Sequence, residues 1–167
     1  KQKDKIMNKL IYRQILEFAT SAHEFQKRKY TGEPYITHPI SVANLVVENG
    51  GDELLVWAAL LHDVLEDTKV THEELRAFLF TILYFPYAKK VLDIVVELTD
   101  VFTHEAFPKL NRAKRKELEC IRLGGVSEDA KMVKRMDLAH NTKCITKNDP
   151  KFSKLYLKEV RELLKVL

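Results

Sequence analysis

The chain has 167 residues, of which 46% are hydrophobic, and its 28 Lys and Arg residues exceed its 24 Asp and Glu residues by four. This composition predicts one domain with a sizeable core and excludes a disordered chain. Two cysteines are too few for a secreted disulfide scaffold, no apolar run reaches the ~18 residues that a membrane span needs, and a net charge of +4 does not indicate a nucleic-acid partner. A reducing cytoplasm is the expected compartment.

Apolar residues recur at intervals of three and four along most of the chain, which predicts an all-α fold in a single domain over residues 1–167. The first apolar stripe begins at Met7. Pro39 fits the first turn of a second helix, and Asp52 is placed to cap a third. Thr71 followed by Glu74 is a capping-box pattern. The predicted helices cover about residues 7–22, 38–48, 52–65, a helix that begins after Thr71, 87–98, 109–122, 127–145 and 152–167.

The third predicted helix is apolar on every side over residues 54–61, which indicates a buried central helix. At its end stand His62, Asp63, Glu66 and Asp67, and their spacings of three and four residues place them on one side. Three carboxylates at a helix C-terminus oppose the helix dipole, and their partial burial adds a desolvation cost. A divalent cation would relieve both penalties. The alternative is a solvated acidic helix end.

A second cluster lies on the helix predicted over residues 127–145. Asp137 falls in an apolar stripe with His140, while Lys134 is expected on the opposite side. A lone buried carboxylate is unfavourable unless it is paired or binds a metal. His38, fixed at a helix start by Pro39, is a third candidate ligand. The alternatives are an ion pair inside the core for Asp137 and a surface helix-cap role for His38.

Three motifs stand in order along the chain: HEFQKRKYTGEPYITHP at 23–39, AALLHDVLEDT at 58–68 and KRMDLAHN at 134–141. Together they resemble the HD-domain superfamily of metal-dependent phosphohydrolases, and more closely the (p)ppGpp hydrolase domain of the RelA/SpoT type. The resemblance covers nearly the whole chain, and three spaced motifs are far more specific than a bare His-Asp pair. No synthetase-like region accompanies them, so the chain is similar to a stand-alone small alarmone hydrolase.

This resemblance implies an all-α helical bundle of the HD-domain type that binds one divalent metal, with Mn²⁺ as the expected ion. The four implied ligands are His38, His62, Asp63 and Asp137. It further implies that Glu66 and Asp67 handle the attacking water. The implied reaction is an attack by metal-bound water on the 3′ pyrophosphate of guanosine-3′,5′-bis(diphosphate), which gives GDP or GTP and pyrophosphate.

The same resemblance implies a nucleotide-binding role for four further residues. Arg28 and Lys29 would neutralise phosphates or face the base, Asn141 would bond the ribose or a phosphate, and Tyr156 would line the nucleotide pocket. From the residues alone, Arg28 and Lys29 also fit a solvated charge run, and Tyr156 also fits a core position on the last helix. Phe152, one turn before Tyr156, replaces a phosphate-binding arginine that some members carry.

Two other functions remain open from the sequence. One is an HD phosphohydrolase of a different nucleotide, such as a nucleoside mono- or triphosphate or NADPH. The other is a nucleotide-binding HD module without turnover, which the intact Glu66-Asp67 pair disfavours. The expected partner is a small-molecule nucleotide, with no nucleic acid and no membrane, and the sequence does not predict an oligomeric state.

Overall fold

The structure, a computed structural model, describes residues 8–167. Within this part of the chain nine helices follow one another, and the only β pairing is an isolated bridge between Lys27 and Pro34. The helices are α1 (Lys9–Ala22), α2 (Thr37–Glu48), α3 (Glu53–Leu61), α4 (Val64–Asp67), α5 (His72–Ile82), α6 (Phe85–Leu98), α7 (Arg112–Gly124), α8 (Glu128–Asn148) and α9 (Pro150–Leu164). The all-α prediction is therefore confirmed; Met7, the start of the first predicted stripe, lies outside the described residues.

Helix α3 is the centre of the fold. Its residues 54–61 are all buried, and it packs against α1, α2, α6 and α8. Its start is fixed as the sequence predicts, because the Asp52 carboxylate accepts the N–H groups of Leu54 at 3.0 Å and Leu55 at 3.2 Å. A helix that is apolar all round can only be accommodated inside other helices, and α3 is surrounded in that way.

The connection from α2 to α3 is tight. Gly50 has a φ of +82°, in the region that favours glycine, and a Cβ placed on Gly51 would collide with the side chain of Val46. Gly51 N–H donates to the Val46 carbonyl at 2.8 Å. The two glycines thus let α2 turn back closely against α3, which brings the start of α2 towards the end of α3.

The helix predicted over residues 52–65 is interrupted, which corrects that prediction. Helix α3 ends at Leu61, His62 and Asp63 form a turn, and α4 follows as a single turn of four residues. His62 Nδ1 lies 2.7 Å from the Ala59 carbonyl oxygen, the group that the Asp63 N–H would bond in a continuous helix. The imidazole therefore competes with the backbone at the point where the helix breaks.

The later helices agree with the predicted ones apart from their ends. The capping box is confirmed, because Glu74 N–H donates to Thr71 Oγ1 at 3.2 Å and Thr71 N–H donates to the Glu74 carboxylate at 2.8 Å. Residues 109–111 precede α7 instead of belonging to it, and Asn111 caps that helix through the N–H of Lys114. None of the described helices combines the length and the apolar character that a membrane crossing requires.

Replacing Asp52 by Ala should lower the free energy of unfolding by about 1 kcal/mol, since it removes the side-chain acceptor for two N–H groups at the start of α3. Urea denaturation at a fixed metal concentration measures the change. Asp93→Ala is the matched control, because Asp93 is exposed on α6 and pairs only with Lys89. Equal effects of the two substitutions would contradict the capping role of Asp52.

Candidate metal centre and active site

The four residues predicted to bind a metal come together at the broken end of α3. His38 lies in the first turn of α2, His62 and Asp63 form the turn after α3, and Asp137 lies in the middle of α8. Within residues 8–167, the ligand atoms of His38, His62 and Asp137 lie within 4.8 Å of one another. Asp63 Oδ2 is 3.5 Å from His38 Nε2 and 3.0 Å from His62 Nε2. Segments far apart in the sequence thus place two imidazoles and two carboxylates around one point.

The hydrogen bonding of His62 tests whether this centre suits a metal. Its Nδ1 donates to the Ala59 carbonyl, so Nε2 is the ring nitrogen that faces the centre and would bind a metal. Within residues 8–167, Nε2 is buried and has no hydrogen-bond partner, although Asp63 Oδ2 lies 3.0 Å away. A ring nitrogen this close to carboxylate oxygens needs a proton or a metal ion between them, and two imidazoles with two carboxylates are a donor set that fits a divalent ion.

The charges of the centre support the same conclusion. Burial alone would lower the pKa of His62, but the Asp63 and Asp137 carboxylates hold it well above its usual value. Burial would raise the pKa of Asp63, but the neighbouring His62 lowers it to about 2. Burial opposes ionisation of Asp137 as well, yet Lys134 and the two histidines hold its pKa well below the usual range. Both carboxylates are therefore ionised near neutral pH, and the centre attracts cations.

Further side chains hold the predicted ligands in place from outside the centre. His38 Nδ1 lies 2.7 Å from His140 Nδ1, so one ring donates to the other and His38 Nε2 is directed inward. Asn141 Nδ2 donates to Asp137 Oδ1 at 2.7 Å. Such outer hydrogen bonds fix the orientation of metal-binding side chains in known metal sites.

Lys134 belongs to this outer group, which corrects the expectation that it lies on the opposite side of α8 from Asp137. Its Nζ donates to Asp137 Oδ2 at 3.0 Å, and only 16% of its side chain is exposed. Burial would lower the pKa of Lys134, but Asp137, Asp100 and Glu66 together raise it. The spacing of three residues between Lys134 and Asp137 is a signal that could have found this pair.

Glu66 and Asp67 lie on α4, beside the centre. Glu66 Oε2 accepts the backbone N–H of Asp100 at 3.0 Å. Although Glu66 is exposed as a whole residue, its carboxylate lies in the cavity described below, where partial burial and the Asp100 charge raise its pKa to about 7. A carboxyl group that titrates near neutrality is suited to proton transfer.

Asp67 is held from a different direction, through residues of the first sequence motif that were given no role. Gln26 Nε2 donates to Asp67 Oδ2 at 3.1 Å, and Gln26 Oε1 lies 2.7 Å from His23 Nδ1. His23 is buried and its ring lies 4.8 Å from that of Tyr35. The Tyr35 hydroxyl in turn donates to Asp63 Oδ2 at 2.7 Å. The sequence did not predict that His23 supports Gln26 and, through it, Asp67. His23 directly follows α1, and apolar periodicity gives no information about the residue after a helix.

A cavity of about 250 Å³ opens onto the centre. Its walls include Asp63, Glu66, Asp67, Asp100, Arg112, Lys116, Lys134, Asp137, Asn141, Tyr156 and Glu159. Of the four residues predicted to bind substrate, Asn141 and Tyr156 therefore lie in the cavity wall. The Tyr156 hydroxyl is buried and has no hydrogen-bond partner among residues 8–167, and burial raises its pKa to about 12. This hydroxyl is available to a bound molecule.

The other two predicted substrate residues lie elsewhere. Arg28 Nη2 donates to Asn141 Oδ1 at 3.0 Å, and its guanidinium lies over the Tyr35 ring at 5.5 Å, so it contacts the cavity wall from behind. Lys29 is exposed, lies over the ring of Tyr30 at 5.1 Å, and is not part of the wall. The structure thus brings three of the four to the site or its border.

Comparison with known proteins agrees with this geometry. The sequence profile of the HD domain matches residues 16–165. The guanosine-3′,5′-bis(diphosphate) 3′-pyrophosphohydrolase MESH1 of Xenopus tropicalis is 36% identical over 136 residues, which are 80% of this chain and 68% of that protein. A probable guanosine-3′,5′-bis(diphosphate) 3′-pyrophosphohydrolase of Synechocystis is 30% identical over 153 residues, and these span only 18% of its length.

A solved structure extends the likeness to the fold. A metazoan orthologue of SpoT, described as hydrolysing ppGpp, superposes with a TM-score of 0.76 at 26% identity, over 93% of this chain and 84% of that one. The profile match spans all three motifs that form the centre. The chain belongs to the HD-domain family of metal-dependent hydrolases.

Proposed function

We propose that this protein is a metal-dependent guanosine-3′,5′-bis(diphosphate) 3′-pyrophosphohydrolase. The observation that carries the proposal is the centre of two imidazoles and two carboxylates, in which His62 Nε2 has no hydrogen-bond partner within residues 8–167, beside the acidic pair on α4. The relatives named above are pyrophosphohydrolases of this nucleotide, and one of them matches 80% of the chain. We further propose that residues 1–167 form one domain and that the protein acts in the cytoplasm.

We propose that His38, His62, Asp63 and Asp137 would hold the ion, and that the ion is Mn²⁺. A mixed set of imidazole and carboxylate ligands suits a borderline first-row ion better than Mg²⁺ or Ca²⁺, which prefer oxygen ligands alone. When bound, such an ion polarises a phosphate oxygen and lowers the pKa of water.

The protein side chains then have separate tasks in the hydrolysis. Glu66 and Asp67 orient a water molecule, and Glu66, with its pKa near 7, accepts a proton from it. The water oxygen bonds to the phosphorus attached to the ribose 3′ oxygen, and the bond from that phosphorus to the 3′ oxygen breaks. The 3′ oxygen takes up a proton, so the products are GDP and pyrophosphate, or GTP and pyrophosphate from the pentaphosphate.

Substrate binding is assigned to the cavity wall and its border. Asn141 and the unpartnered Tyr156 hydroxyl would hydrogen-bond the ribose or a phosphate. Arg28, which already contacts Asn141, would place its charge or its planar face against the nucleotide. Lys29 would have to turn away from Tyr30 to reach the substrate.

Incubation of ppGpp with the protein and Mn²⁺, followed by chromatographic separation, tests the proposed function. We expect GDP and pyrophosphate in equal amounts, and no product when the metal is removed with EDTA. The same assay with a nucleoside monophosphate, a nucleoside triphosphate and NADPH is the comparison. Turnover of one of these in preference to ppGpp would reassign the substrate, and binding without turnover would identify a non-catalytic module.

His62→Ala and Asp63→Ala should each lose most of the bound metal and all measurable hydrolysis, because each removes one of four proposed ligands. Both should also lose the thermal stabilisation that added metal gives the wild type, since a ligand stabilises only the state that binds it. Metal analysis of the purified proteins and thermal melts with and without Mn²⁺ measure these effects. His72→Ala, at an exposed histidine of α5, is the control. Full metal occupancy in either variant would contradict the assignment.

Glu66→Gln should lower kcat by roughly 10²-fold or more, because it keeps the shape of the side chain but cannot accept a proton. Metal content and KM should remain near those of the wild type. Glu73→Gln is the matched control, since the Glu73 side chain is 85% exposed on α5. Loss of metal together with activity would instead make Glu66 a ligand, and unchanged turnover would leave proton transfer to Asp67.

The pH profile separates these roles further. The pKa of Glu66 is raised, so the ionised, proton-accepting form is present above a pH of about 7 and is lost below it. We therefore expect kcat/KM of the wild type to fall as the pH drops through about 7. In Glu66→Gln this limb should disappear. If kcat/KM of Glu66→Gln still fell below a pH of about 7, the decrease would be caused by a titratable group other than Glu66.

A further inference from the structure

A second buried carboxylate, outside the metal centre, holds the chain segment that follows α6. Glu119 of α7 is only 3% exposed. Its Oε1 accepts the backbone N–H groups of Val101 and Phe102, both at 2.6 Å, and its Oε2 accepts from Arg122 Nε at 2.8 Å. The Arg122 guanidinium also donates to the Glu97 carbonyl at 2.7 Å. Glu119 thus connects α7 to the end of α6 and to the segment beyond it.

The residue before these two donors reaches the active site. Asp100 N–H donates to Glu66 Oε2 at 3.0 Å, and Asp100 lies in the cavity wall. Three consecutive N–H groups, those of residues 100–102, are therefore bound by side-chain carboxylates. One acceptor lies on α4 in the active site, and the other lies on α7 below the segment.

Few other bonds hold the part of the segment next to Asp100. Residues 99–111 contain no helix or strand. Asp100 forms a 3.4 Å ion pair with Lys116, Thr99 bonds the Val95 carbonyl through its N–H and its hydroxyl, and the Phe102 ring lies 5.0 Å from that of Phe107. The Lys116 side chain is 43% exposed, and ion pairs at such positions contribute little. The buried bonds to Glu119 are therefore the strongest constraint on where the Asp100 N–H points.

A carboxylate at this position also requires an explanation of its own. A buried ion pair such as Glu119 with Arg122 is seldom more stabilising than packed apolar side chains of similar size. An apolar residue, however, would leave the N–H groups of Val101 and Phe102 without an acceptor. The charge at Glu119 is accounted for by the segment it binds.

We propose that Glu119 is a positioning residue for the hydrolytic reaction, which rests on the function proposed above. By holding the N–H groups of Val101 and Phe102, it keeps the Asp100 N–H on one oxygen of the Glu66 carboxylate. This fixes the rotation of that carboxylate and leaves its other oxygen for the water. Glu119 itself lies in the wall of the cavity, but its two carboxylate oxygens are engaged by Val101, Phe102 and Arg122. It therefore acts on the reaction through residues 100–102.

The variants are Glu119→Ala and Glu119→Gln, with Glu117→Gln as the matched control on the same helix, where the carboxylate is exposed and pairs with Lys114. Ala removes both acceptors. Gln keeps one oxygen but turns an amide N–H group towards either the segment or Arg122, so its effect should be smaller. If Glu119→Ala does not fold, Glu119→Gln alone is used for every measurement below.

Amide hydrogen exchange of a peptide covering residues 99–103, followed by mass spectrometry, reads the segment directly. We expect the amides of this peptide to exchange faster in both Glu119 variants than in the wild type, and to exchange at the wild-type rate in Glu117→Gln. Metal content and KM should stay at wild-type values, while kcat of Glu119→Ala falls by roughly 10-fold to 100-fold, the size expected when a reacting group is slightly misplaced. Unchanged exchange, or a loss confined to KM or to metal, would overturn the proposal.

A double substitution distinguishes positioning from general destabilisation. Since Glu119 acts through Glu66, Glu119→Gln should cause no further loss of kcat in a Glu66→Gln background. A further loss equal to that seen in the wild-type background would overturn the proposal.

The failure of the proposed function is distinguishable from the failure of this inference. If the wild type does not hydrolyse ppGpp, the proposed substrate is wrong, and the double-substitution experiment is then run on the nucleotide that is hydrolysed. The hydrogen-exchange measurement needs no substrate and tests the role of Glu119 in either case.

Discussion

Negative charge confined in the core is the constraint on which the rest of this structure depends. Asp63 and Asp137 stand beside two buried imidazoles where α2, the end of α3 and α8 meet. Two ionised carboxylates taken out of water are strongly unfavourable unless positive charge compensates them. Lys134 supplies part of this positive charge through its bond to Asp137, and a cation bound where α2, α3 and α8 meet would supply the rest. This joins the stability of the core to occupancy of the site.

The two halves of the site are held in different ways, and the difference matches the roles proposed for them. The metal-binding half is buried and is fixed by short bonds within the core, such as His62 to Ala59 and Asn141 to Asp137. The acidic pair forms the exposed end of α4 and is oriented by groups from distant segments: Gln26 for Asp67 and the Asp100 N–H for Glu66. A ligand needs fixed geometry, whereas a proton acceptor needs contact with water. The break after Leu61 allows both, because it takes the chain from the core to the surface within six residues.

Much of this site follows from the sequence because its main residues have local signals. Spacings of three and four residues bring His62, Asp63, Glu66 and Asp67 together even though the helix breaks between them. The prediction for Lys134 was wrong because residues three apart in a helix lie only about 60° apart around its axis, so Lys134 and Asp137 share a side. Asp100 and Glu119 could not be found in this way. Asp100 lies in the irregular segment after α6, and Glu119 binds the next two residues of that segment from α7. Helical periodicity does not extend across such a segment, so it cannot predict this contact.

Lys134 joins these separate parts of the site electrostatically. It is bonded to Asp137, and Asp100 and Glu66 stabilise its charged form, so one ammonium stands between the metal-binding half and the proton-handling half. An anionic substrate approaching the centre would be repelled by Glu66, Asp67 and Asp100, and Lys134 offsets part of that repulsion from within the cavity wall. Its charge keeps Asp137 ionised and also lowers the pKa of Glu66, but burial and the Asp100 charge outweigh it there and raise that pKa to about 7. The two carboxylates therefore differ in protonation because their other neighbours differ: Asp137 bonds Lys134 directly, whereas Glu66 accepts one backbone N–H beside the like charge of Asp100.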